Sequence, residues 1–534
     1  MGLLSLLISL PLVATAIILL LPAKLRSSYK YIALAFTLIQ FVIAGYMYNN
    51  FDNTAAGINT ISAYQFVEQL PWIRLQLGNL GFLEIDYFLG VDGVSLPLIV
   101  LSAFVMLMAI GASWNIQKSL KGYFALIMIL NAAVMGIFSA LDFFLFYIFY
   151  EVMLLPLYFL IGIWGGANRE YAAIKFFIYT LFGSVFMLLV IVGLYFSVIN
   201  PETGARTFNM IHMMNPTNYI EGSFFAYVNN FNEILGIPAR MLGFIILFIA
   251  FAIKIPIVPL HTWLPDAHVE APTPVSIILA GVLLKIGGYG IIRVCMSIFP
   301  DAMTDANWWL GLIGIISILY GALNALAQKD LKRMIAYSSV SHMGFVLLGI
   351  ASLTAEGISG AMFQMISHGF LSAALFFLVG VIYDRVHDRY IYHFRGLANI
   401  MPQFTGLVAV TFFASLGLPG FSAFIGEAFV VIGAFNAESV GTGIPRWMAI
   451  AGSIGILLSA AYFLWTLQRM FFGETRLKGG ENWALALTDV TTRERIIMYP
   501  TLALALALGI MPSLIFDKLN ATVLQLVSLI STYL

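Results

Sequence analysis

The sequence predicts an all-α protein that crosses a lipid bilayer about fourteen times. Of its 534 residues, 61% are hydrophobic and only 10% are charged, whereas soluble globular proteins carry about 25% charged residues. Its mean hydropathy is +0.95, and many apolar runs reach the length of about 18 residues at which one helix can span the hydrocarbon core. The net charge is zero, so the charge balance indicates no nucleic-acid partner.

Hydropathy also sets the positions of the spans. They are predicted at 2–22, 31–49, 88–113, 122–140, 142–165, 171–198, 240–260, 274–299, 307–327, 333–352, 357–383, 401–437, 446–472 and 496–515. The first segment lacks the basic start and the clear cleavage site of a signal peptide, so we expect it to be retained. The 401–437 run is too long for one straight crossing, and we expect it to break at LGLPGFSAF.

The basic residues of the loops predict the orientation. Of the 26 lysines and arginines, eighteen fall in loops on one side and five on the other, and the richer side is expected to be cytoplasmic. Both termini and the long segments 50–87 and 199–239 are then external. The remaining three basic residues lie within spans: Lys254, Lys285 and Arg293. Arg293 is near the outer end of its helix, so we expect it to reach the interface.

Six ionisable side chains are predicted well inside six different spans: Glu151, Lys254, Lys285, His342, His368 and Glu427. A charge at mid-bilayer costs at least about 2.5–3.5 kcal/mol. All six groups can change protonation state, and arginine, which cannot, is absent from the set. This composition is typical of a proton relay. Each group could instead be a buried polar residue that ties helices together, an alternative that is open for either histidine taken alone.

Prolines predict breaks in spans 7 and 12. Pro256 and Pro259 closely follow Lys254, and Pro419 precedes Glu427 by two turns. Proline cannot donate to the carbonyl four residues earlier, and a freed carbonyl at membrane depth is tolerated only against protein or water. Two broken helices five spans apart favour two five-helix repeats, spans 4–8 and 9–13, with the second inverted because five is odd.

This organisation divides the chain into four parts. Residues 1–121 hold spans 1–3 and a long external loop, and 122–299 form the first repeat. Residues 300–472 form the second repeat, and 473–534 hold an internal loop, span 14 and a short external tail.

The sequence predicts no metal or cofactor site in this chain. Its one cysteine, Cys295, cannot hold an iron–sulfur cluster or a structural zinc ion. No nucleotide-binding glycine motif occurs. The segment HTWLPDAHVEAP contains His261, Asp266, His268 and Glu270, but their spacing fits no standard zinc pattern. We interpret this segment as a rigid, proline-rich cytoplasmic linker.

Five segments resemble the M-type antiporter-like subunits of respiratory complex I, the proton-pumping NADH:quinone oxidoreductase. They are FYEVMLLPLYFLIGIWGG (149–166), KIPIVPLHTWLPDAHVEAPTPVS (254–276), LLKIGGYG (283–290), DLKRMIAYSSVSHMGF (330–345) and GLPGFSAFIGE (417–427). The resemblance extends over nearly the whole chain. It implies fourteen helices, inverted repeats over spans 4–8 and 9–13, broken helices 7 and 12, and a half-channel in each repeat.

The resemblance also implies roles for the six buried groups. Glu151 and Lys254 resemble the acid–lysine pair of the family, and Lys285 resembles its central lysine. His342 and His368 would continue the path to an exit-side acid at Glu427. Related L-type, N-type and Mrp chains usually carry lysine at that last position, so Glu427 favours the M-type. The 50–87 loop is longer than this family leads us to expect.

The resulting hypothesis is a proton-translocating subunit of the bacterial cytoplasmic (inner) membrane, driven by redox chemistry elsewhere. Its implied partners are other membrane-arm subunits of complex I, chiefly neighbouring antiporter-like subunits, and the lipid bilayer. NADH, flavin, iron–sulfur clusters and quinone would be bound by other subunits. One alternative is a subunit of an Mrp-type cation/proton antiporter, which Glu427 disfavours. A second is a quinone-binding redox subunit, suggested only by the 14% aromatic content.

Overall fold

The structure is a computed structural model that describes residues 2–76, 82–227, 233–234 and 236–534. Helices form most of it. The first half contains α1 (Leu3–Leu20), α2 (Tyr29–Asn49), α3 (Ser95–Ala112), α4 (Leu120–Ser139), α5 (Phe143–Val152), α6 (Leu154–Trp164), α7 (Arg169–Ser197), α8 (Met210–Met213), α9 (Ala239–Lys254) and α10 (Trp263–Glu270). Next come α11 (Thr273–Ile278) and α12 (Leu284–Gly290). A π-helical turn at Leu279–Leu283 joins them, and a second one at Ile291–Met296 follows α12, so that all four segments form one continuous helix.

The second half begins with three long helices and ends with a helix across one end of the bundle. It contains α13 (Pro300–Ala327), α14 (Leu331–Ala351), α15 (Ala355–Val386), α16 (Pro402–Ser415), α17 (Ser422–Val440), α18 (Arg446–Phe471), α19 (Gly480–Ala486), α20 (Thr492–Ile510) and α21 (Ser513–Ser531). In the described part of the chain, six strands pair as antiparallel two-stranded sheets: β1 (Gln65–Gln76) with β2 (Phe82–Val91), β3 (Glu233–Ile234) with β4 (Ile237–Pro238), and β5 (Phe394–Arg395) with β6 (Arg476–Leu477).

Among the described residues, thirteen helical segments are long and apolar enough to cross a membrane. The predicted all-α, polytopic fold is therefore confirmed. The broken span 7 is not among the thirteen because α9 has only 16 residues. The helix α20 is also outside the set, because Arg493, Glu494 and Arg495 lie in its first turn, whereas α21 is in the set by length and composition only.

Loop contacts define two ends of the bundle. We call the basic end the one that carries the loops 21–28, 113–119, 165–168, 387–401 and 472–491. There the Trp164 indole donates to the carbonyl of Lys118 at 2.7 Å, and Arg385 pairs with Glu494 at 2.9 Å. At the opposite end the backbone NH of Leu141 donates to Phe88 at 2.9 Å. Each of these contacts joins loops that the alternating directions of the predicted spans place at the same end of the bundle.

The long 50–87 segment is not a plain loop, because it contributes β1 and the start of β2. Its turn at residues 77–81 lies outside the described part of the chain. The Glu68 carboxylate accepts hydrogen bonds from the backbone NH groups of Leu4 and Ser5 at 2.8 and 3.1 Å. A carboxylate at a helix N-terminus is favourable because it faces the positive end of the helix dipole. The hairpin is thereby held against α1.

The interpretation of HTWLPDAHVEAP as a cytoplasmic linker is wrong. Its residues form α10, on which Trp263, Leu264 and His268 are buried. The Trp263 indole donates to the carbonyl of Ile253 at 2.8 Å, so α10 packs against the end of α9. The segment is the second half of broken span 7 and not a surface connection.

The predicted short external tail forms α21, which lies across the opposite end of the bundle. The Lys518 ammonium donates to the carbonyl of Phe51 at 3.3 Å. The Thr522 hydroxyl accepts from the backbone NH of Gly93 at 3.2 Å, and the ring of Tyr533 stacks on Tyr227. All these partners belong to segments at that end, so α21 covers the ends of other helices.

Candidate functional site

Span 7 breaks directly after Lys254. Helix α9 ends at this residue, and helical geometry resumes only at Trp263. Pro256 and Pro259 lie within the break, where neither can donate a backbone hydrogen bond. Lys254 is 0% exposed. The sequence thus places an ammonium group at the point inside the bundle where the helix loses its regular hydrogen bonds.

The Lys254 ammonium lies among aromatic rings. Its Nζ is 4.8 Å from the centre of the Tyr150 ring and 5.6 Å from that of Phe176, so both π faces attract it. Among the residues that the structure describes, Nζ finds no hydrogen-bond partner, and neither does Oε1 of the half-buried Glu151. Glu151 is the acid whose charge acts on Lys254. The two groups interact through space without a hydrogen bond that would fix them.

Small residues bring span 8 against this break. A Cβ on Gly287 would collide with the backbone nitrogen of Ile255, and one on Gly288 would collide with the Met365 sulfur. Glycines allow such close approach between membrane helices. Lys285 precedes Gly287 by two residues, which is about 200° around a helix. Its side chain therefore points away from the break.

Lys285 contacts a histidine of α15. Its Nζ lies 2.7 Å from Nδ1 of His368 and donates to the carbonyl of Ala280 at 2.5 Å. Ala280 lies in a π-helical turn, a local geometry found often at functional sites. The backbones of span 8 and α15 touch here, because a Cβ on Gly369 would lie 3.0 Å from the carbonyl oxygen of Gly281.

Two further groups extend this contact to the second break. The rings of His368 and His342 are 5.4 Å apart between centroids. Nδ1 of His342 lies 3.1 Å from Oε1 of Glu427, which is ion-pair distance, although the angles do not meet hydrogen-bond criteria. Oε2 of Glu427 faces Gly417 in the break between α16 and α17. All four side chains in this series, Lys285, His368, His342 and Glu427, are at most 5% exposed.

A small polar cavity lies beside the two histidines. Its volume is about 10 Å³, close to the space that one water molecule needs. Its polar lining consists of Ser338, His342, Gln364, His368, Ser372 and Ser415. One water there would have several partners, including Gln364, whose Nε2 lies 3.3 Å from Nδ1 of His342.

The structure therefore divides the six predicted residues into two groups. Glu151 and Lys254 form one group, and the other four form a series from span 8 to span 12. No side-chain hydrogen bond between Lys254 and Lys285 is found in the part of the chain that the structure describes. A proton that passed between the two groups would need intervening water.

Two titratable residues at the basic end, Lys332 and His268, are buried in the structure, whereas sequence reasoning placed both in loops. Lys332 is 4% exposed, and its Nζ donates to the carbonyl of Ala271 at 2.5 Å. His268 is 0% exposed and stacks on Phe376 with centroids 4.3 Å apart. Neither of its ring nitrogens has a hydrogen-bond partner within the described part of the chain. The cations that act on His268 are Lys332 and Lys285. In the sequence, Lys332 is followed by Arg333. Two adjacent basic residues are typical of a loop, so the burial of Lys332 could not be recognised.

A cavity of about 600 Å³ opens at the basic end and reaches Lys332. Lys332 forms part of its wall. The charged and titratable residues of the wall also include Glu270, Asp330, Asp384, His387, Asp388, Arg389, His393, Arg493 and Glu494. We call this space the basic-end cavity.

The expectation that Arg293 reaches the membrane interface is wrong. Arg293 is 1% exposed, and its guanidinium lies 2.5 Å from Oδ1 of Asp92, which is 0% exposed. It also donates to the hydroxyls of Tyr64 and Tyr289. Asp92 lies just before α3 and supplies the countercharge inside the bundle, so snorkelling is unnecessary. Because arginine keeps its proton, this pair fastens span 8 to α3 and carries no proton.

The acids and histidines of the structure do not gather as metal ligands. No group of three or more such side chains able to hold a metal ion occurs within the described ranges. Asp266, considered above as a potential ligand, pairs instead with Lys175 at 2.7 Å and Arg333 at 3.3 Å. These pairs hold α10 against α7 and α14.

Asp142 is a buried acid at the opposite end, directly before α5 and the span that begins at Phe143. It caps α5 by accepting from the backbone NH of Leu145 at 2.9 Å, and it accepts from that of Asp86 at 3.3 Å. Burial outweighs these hydrogen bonds and raises the pKa of Asp142 to about 7. Its protonation therefore changes in the neutral range at the start of the helix that carries Glu151.

Comparison with known sequences identifies the family. Residues 140–459 match the family described as NADH:quinone oxidoreductase/Mrp antiporter, and residues 59–140 match the amino terminus of NADH-ubiquinone oxidoreductase chain 4. NADH-quinone oxidoreductase subunit M of Rhodobacter capsulatus is 39% identical, with 98% of this chain and 96% of the relative covered. An NAD(P)H-quinone oxidoreductase chain 4 of Thermosynechococcus vestitus is 38% identical, with 97% and 90% covered.

Comparison with solved structures agrees. A chain of respiratory complex I from Thermus thermophilus is 26% identical, with a TM-score of 0.80 and 99% of both chains covered. A chain of the Mrp complex from Dietzia is 20% identical, with a TM-score of 0.78 and 100% of both covered, a likeness that shows the fold alone. Both neighbours are parts of multisubunit membrane complexes. The chain belongs to the subunit M (chain 4) family of antiporter-like membrane subunits of NADH-quinone oxidoreductase.

Proposed function

We propose that this chain is a proton-translocating subunit in the membrane arm of a bacterial NADH:quinone oxidoreductase. The observation that carries the proposal is the buried series Lys285–His368–His342–Glu427, which we call the relay. Each member can gain and lose a proton, and the contacts within the series are 2.7, 5.4 and 3.1 Å. The redox reaction and its cofactors would belong to other subunits.

Protons would be taken up from the basic-end cavity. Lys332 forms part of its wall, and the charges of both Lys332 and Lys285 act on His268. Both ring nitrogens of His268 lack a hydrogen-bond partner among the described residues, so His268 can accept a proton on one while it releases a proton from the other. We assign the basic end to the cytoplasm because of its excess of lysine and arginine, and both termini then lie outside.

The relay would carry the proton onward from Lys285. The ammonium gives a proton to Nδ1 of His368, which can release its other proton through a water in the small cavity beside the histidines. That water would protonate His342, and His342 would pass the proton to Glu427 at the second break. Backbone carbonyls freed by the proline break would stabilise water along this last step.

Glu151 and Lys254 would act as the switch that links this subunit to its neighbour. Glu151 is half-buried on a face that exposes the apolar side chains of Val152, Leu155 and Phe159. A neighbouring subunit packed there could present a charge to Glu151. An opposite charge within about 4–6 Å is worth about 1–3 pKa units, or roughly 1.4–4 kcal/mol. Moving a proton against 100 mV costs about 2.3 kcal/mol, so one such switch has the required size.

The test uses membrane vesicles that contain the whole complex with Lys254→Ala in this chain, after its assembly has been verified. NADH oxidation and acidification of the vesicle lumen are followed together. We expect both to fall, because the switch is coupled to the redox reaction. Normal oxidation with normal acidification would contradict the proposal. Loss of only a sodium-dependent proton exchange would favour the cation/proton antiporter instead.

Lys478→Ala provides the matched control. Lys478 is exposed in the internal segment 473–495, far in sequence from the relay. We expect this variant to oxidise NADH and to acidify the lumen like the unchanged complex.

A further inference from the structure

A deep cleft lies on the outer surface of the bundle near the basic end, apart from the relay. Its volume is about 1040 Å³. It runs between α2 and α20, with α3 as its floor. The apolar lining consists of Leu34, Leu38, Phe41, Phe104, Leu107, Met108, Ile496, Ile497 and Pro500. Leu38 and Ile496 are 48% and 67% exposed, so the cleft opens towards the surrounding lipid.

The mouth of the cleft carries two cations. Arg493 lines it and donates to the Asn115 side chain at 2.9 Å. Lys30 lies with its Nζ 4.4 Å from the centre of the Trp114 ring, another lining residue. Within the chain as the structure describes it, neither cation has a carboxylate within ion-pair distance.

The acids near this mouth are already engaged. Glu494 pairs with Arg385 at 2.9 Å, and Asp384 accepts from the Asn115 amide at 3.0 Å. Lys30, Arg385 and Arg493 therefore outnumber Glu494 and Asp384 by one positive charge directly beside an apolar cleft. Tryptophan at the level of the lipid head groups is typical of a membrane interface.

We propose that this cleft binds an anionic phospholipid, with its acyl chains along α2, α3 and α20 and its phosphate between Arg493 and Lys30. Arginine binds phosphate through charge-assisted hydrogen bonds, and basic residues at the membrane surface attract anionic lipids. A soluble anion would leave the apolar walls exposed. An apolar helix of another subunit would leave both cations without a countercharge.

The site also touches the basic-end cavity. Asn115, Asp384, Arg493 and Glu494 line both spaces, so a bound lipid head group would order one wall of that cavity. Lipid binding itself does not depend on the proposed function, because the charges and the cleft exist whether or not protons pass. Binding and proton translocation can therefore fail separately.

The test uses the intact complex in nanodiscs of phosphatidylcholine that contain a small fraction of a photoactivatable lipid with the reactive group in its acyl chain. The probe is either phosphatidylglycerol or phosphatidylcholine, and labelled peptides are identified by mass spectrometry. One favourable basic contact with an anionic surface corresponds to about fivefold in binding. We expect phosphatidylglycerol to label α2, α3 and α20 at least about fivefold more than phosphatidylcholine does.

Variants separate the head-group contacts from the cleft. Arg493→Gln and Lys30→Gln should each lower labelling by phosphatidylglycerol about fivefold, whereas Lys478→Gln should leave it unchanged. Leu38→Trp keeps both cations and fills the cleft, so it should lower labelling by both probes. If a charge variant does not assemble, Leu38→Trp still tests whether the acyl chains of the lipid lie in the cleft.

Three results would overturn the proposal. Equal labelling by the two lipids would show that the cleft does not recognise negative charge. Absence of label on all three helices would show that another subunit fills the cleft. Loss of phosphatidylglycerol labelling on addition of inorganic phosphate would show a simple anion site at the mouth.

Discussion

Replacing Glu427 with glutamine should stop proton translocation by this subunit. Glutamine has nearly the same shape as glutamate, so the packing at the second break is kept while the charge is removed. Oε1 of Glu427 lies 3.1 Å from Nδ1 of His342, and the two side chains are 1% and 5% exposed. At an effective dielectric constant of about 20, opposite charges at this distance attract by about 5 kcal/mol.

Glutamine is neutral and cannot take up the proton that His342 would release to Glu427. Even half of the lost attraction corresponds to about a hundredfold in the equilibrium of this transfer. We therefore expect Glu427→Gln to lower lumen acidification by the complex at least about tenfold, and NADH oxidation to fall with it because the two are coupled. Glu427→Asp keeps the charge and should retain a measurable part of both activities.

The assay follows NADH oxidation and lumen acidification in the same vesicles, with assembly verified for each variant. An assembled Glu427→Gln complex with a normal rate and a normal ratio of protons to NADH would refute the reasoning. In that case the short distance between His342 and Glu427 would be a packing contact with no part in transfer.

Three further predictions concern structure and pH. Gly287→Leu should prevent stable assembly, seen on native gels, because its side chain meets the backbone of span 7; Gly406→Ala, with nothing within 4 Å, should assemble normally. Arg293→Gln should destabilise the chain by about 3–5 kcal/mol because it leaves Asp92 buried and unpaired, and a second change, Asp92→Asn, should restore much of the melting temperature. The pKa of Asp142 is raised to about 7, so the folded state binds the extra proton and loses stability as pH rises from about 4 through 7. Asp142→Asn keeps the helix cap and should remove that part of the pH dependence of melting; an unchanged dependence would contradict it.

The spans and their breaks could be predicted because the bilayer imposes simple rules. A chain in lipid must satisfy its backbone within each helix, so long apolar runs mark the spans, and prolines mark the breaks after Lys254 and before Glu427. Hydropathy averages apolar character over a window and does not detect packing. It therefore could not predict that HTWLPDAHVEAP is a buried helix, or that the last residues form α21 across the opposite end.

The chemistry of the relay was visible in the sequence, but its arrangement was not. Six titratable groups could be identified inside spans by their residue type. Lys285 contacts His368 and does not contact Lys254. This arrangement depends on the places where glycines allow three helices to touch, at Gly281, Gly287 and Gly369. For Arg293, the position near a helix end suggested that its side chain reaches the interface. The burial of Arg293 could not be predicted, because its partner Asp92 lies some two hundred residues earlier in the chain.

The measurement that tests the account most directly compares Lys285→Arg with Lys285→Met in vesicles of the assembled complex. Arginine keeps the positive charge beside His368 but cannot release its proton. If Lys285 passes protons to His368, both variants should lose lumen acidification and coupled NADH oxidation to the same extent. If Lys285→Arg retained the normal ratio of protons to NADH while Lys285→Met lost it, a fixed charge would be enough, and the relay would be contradicted.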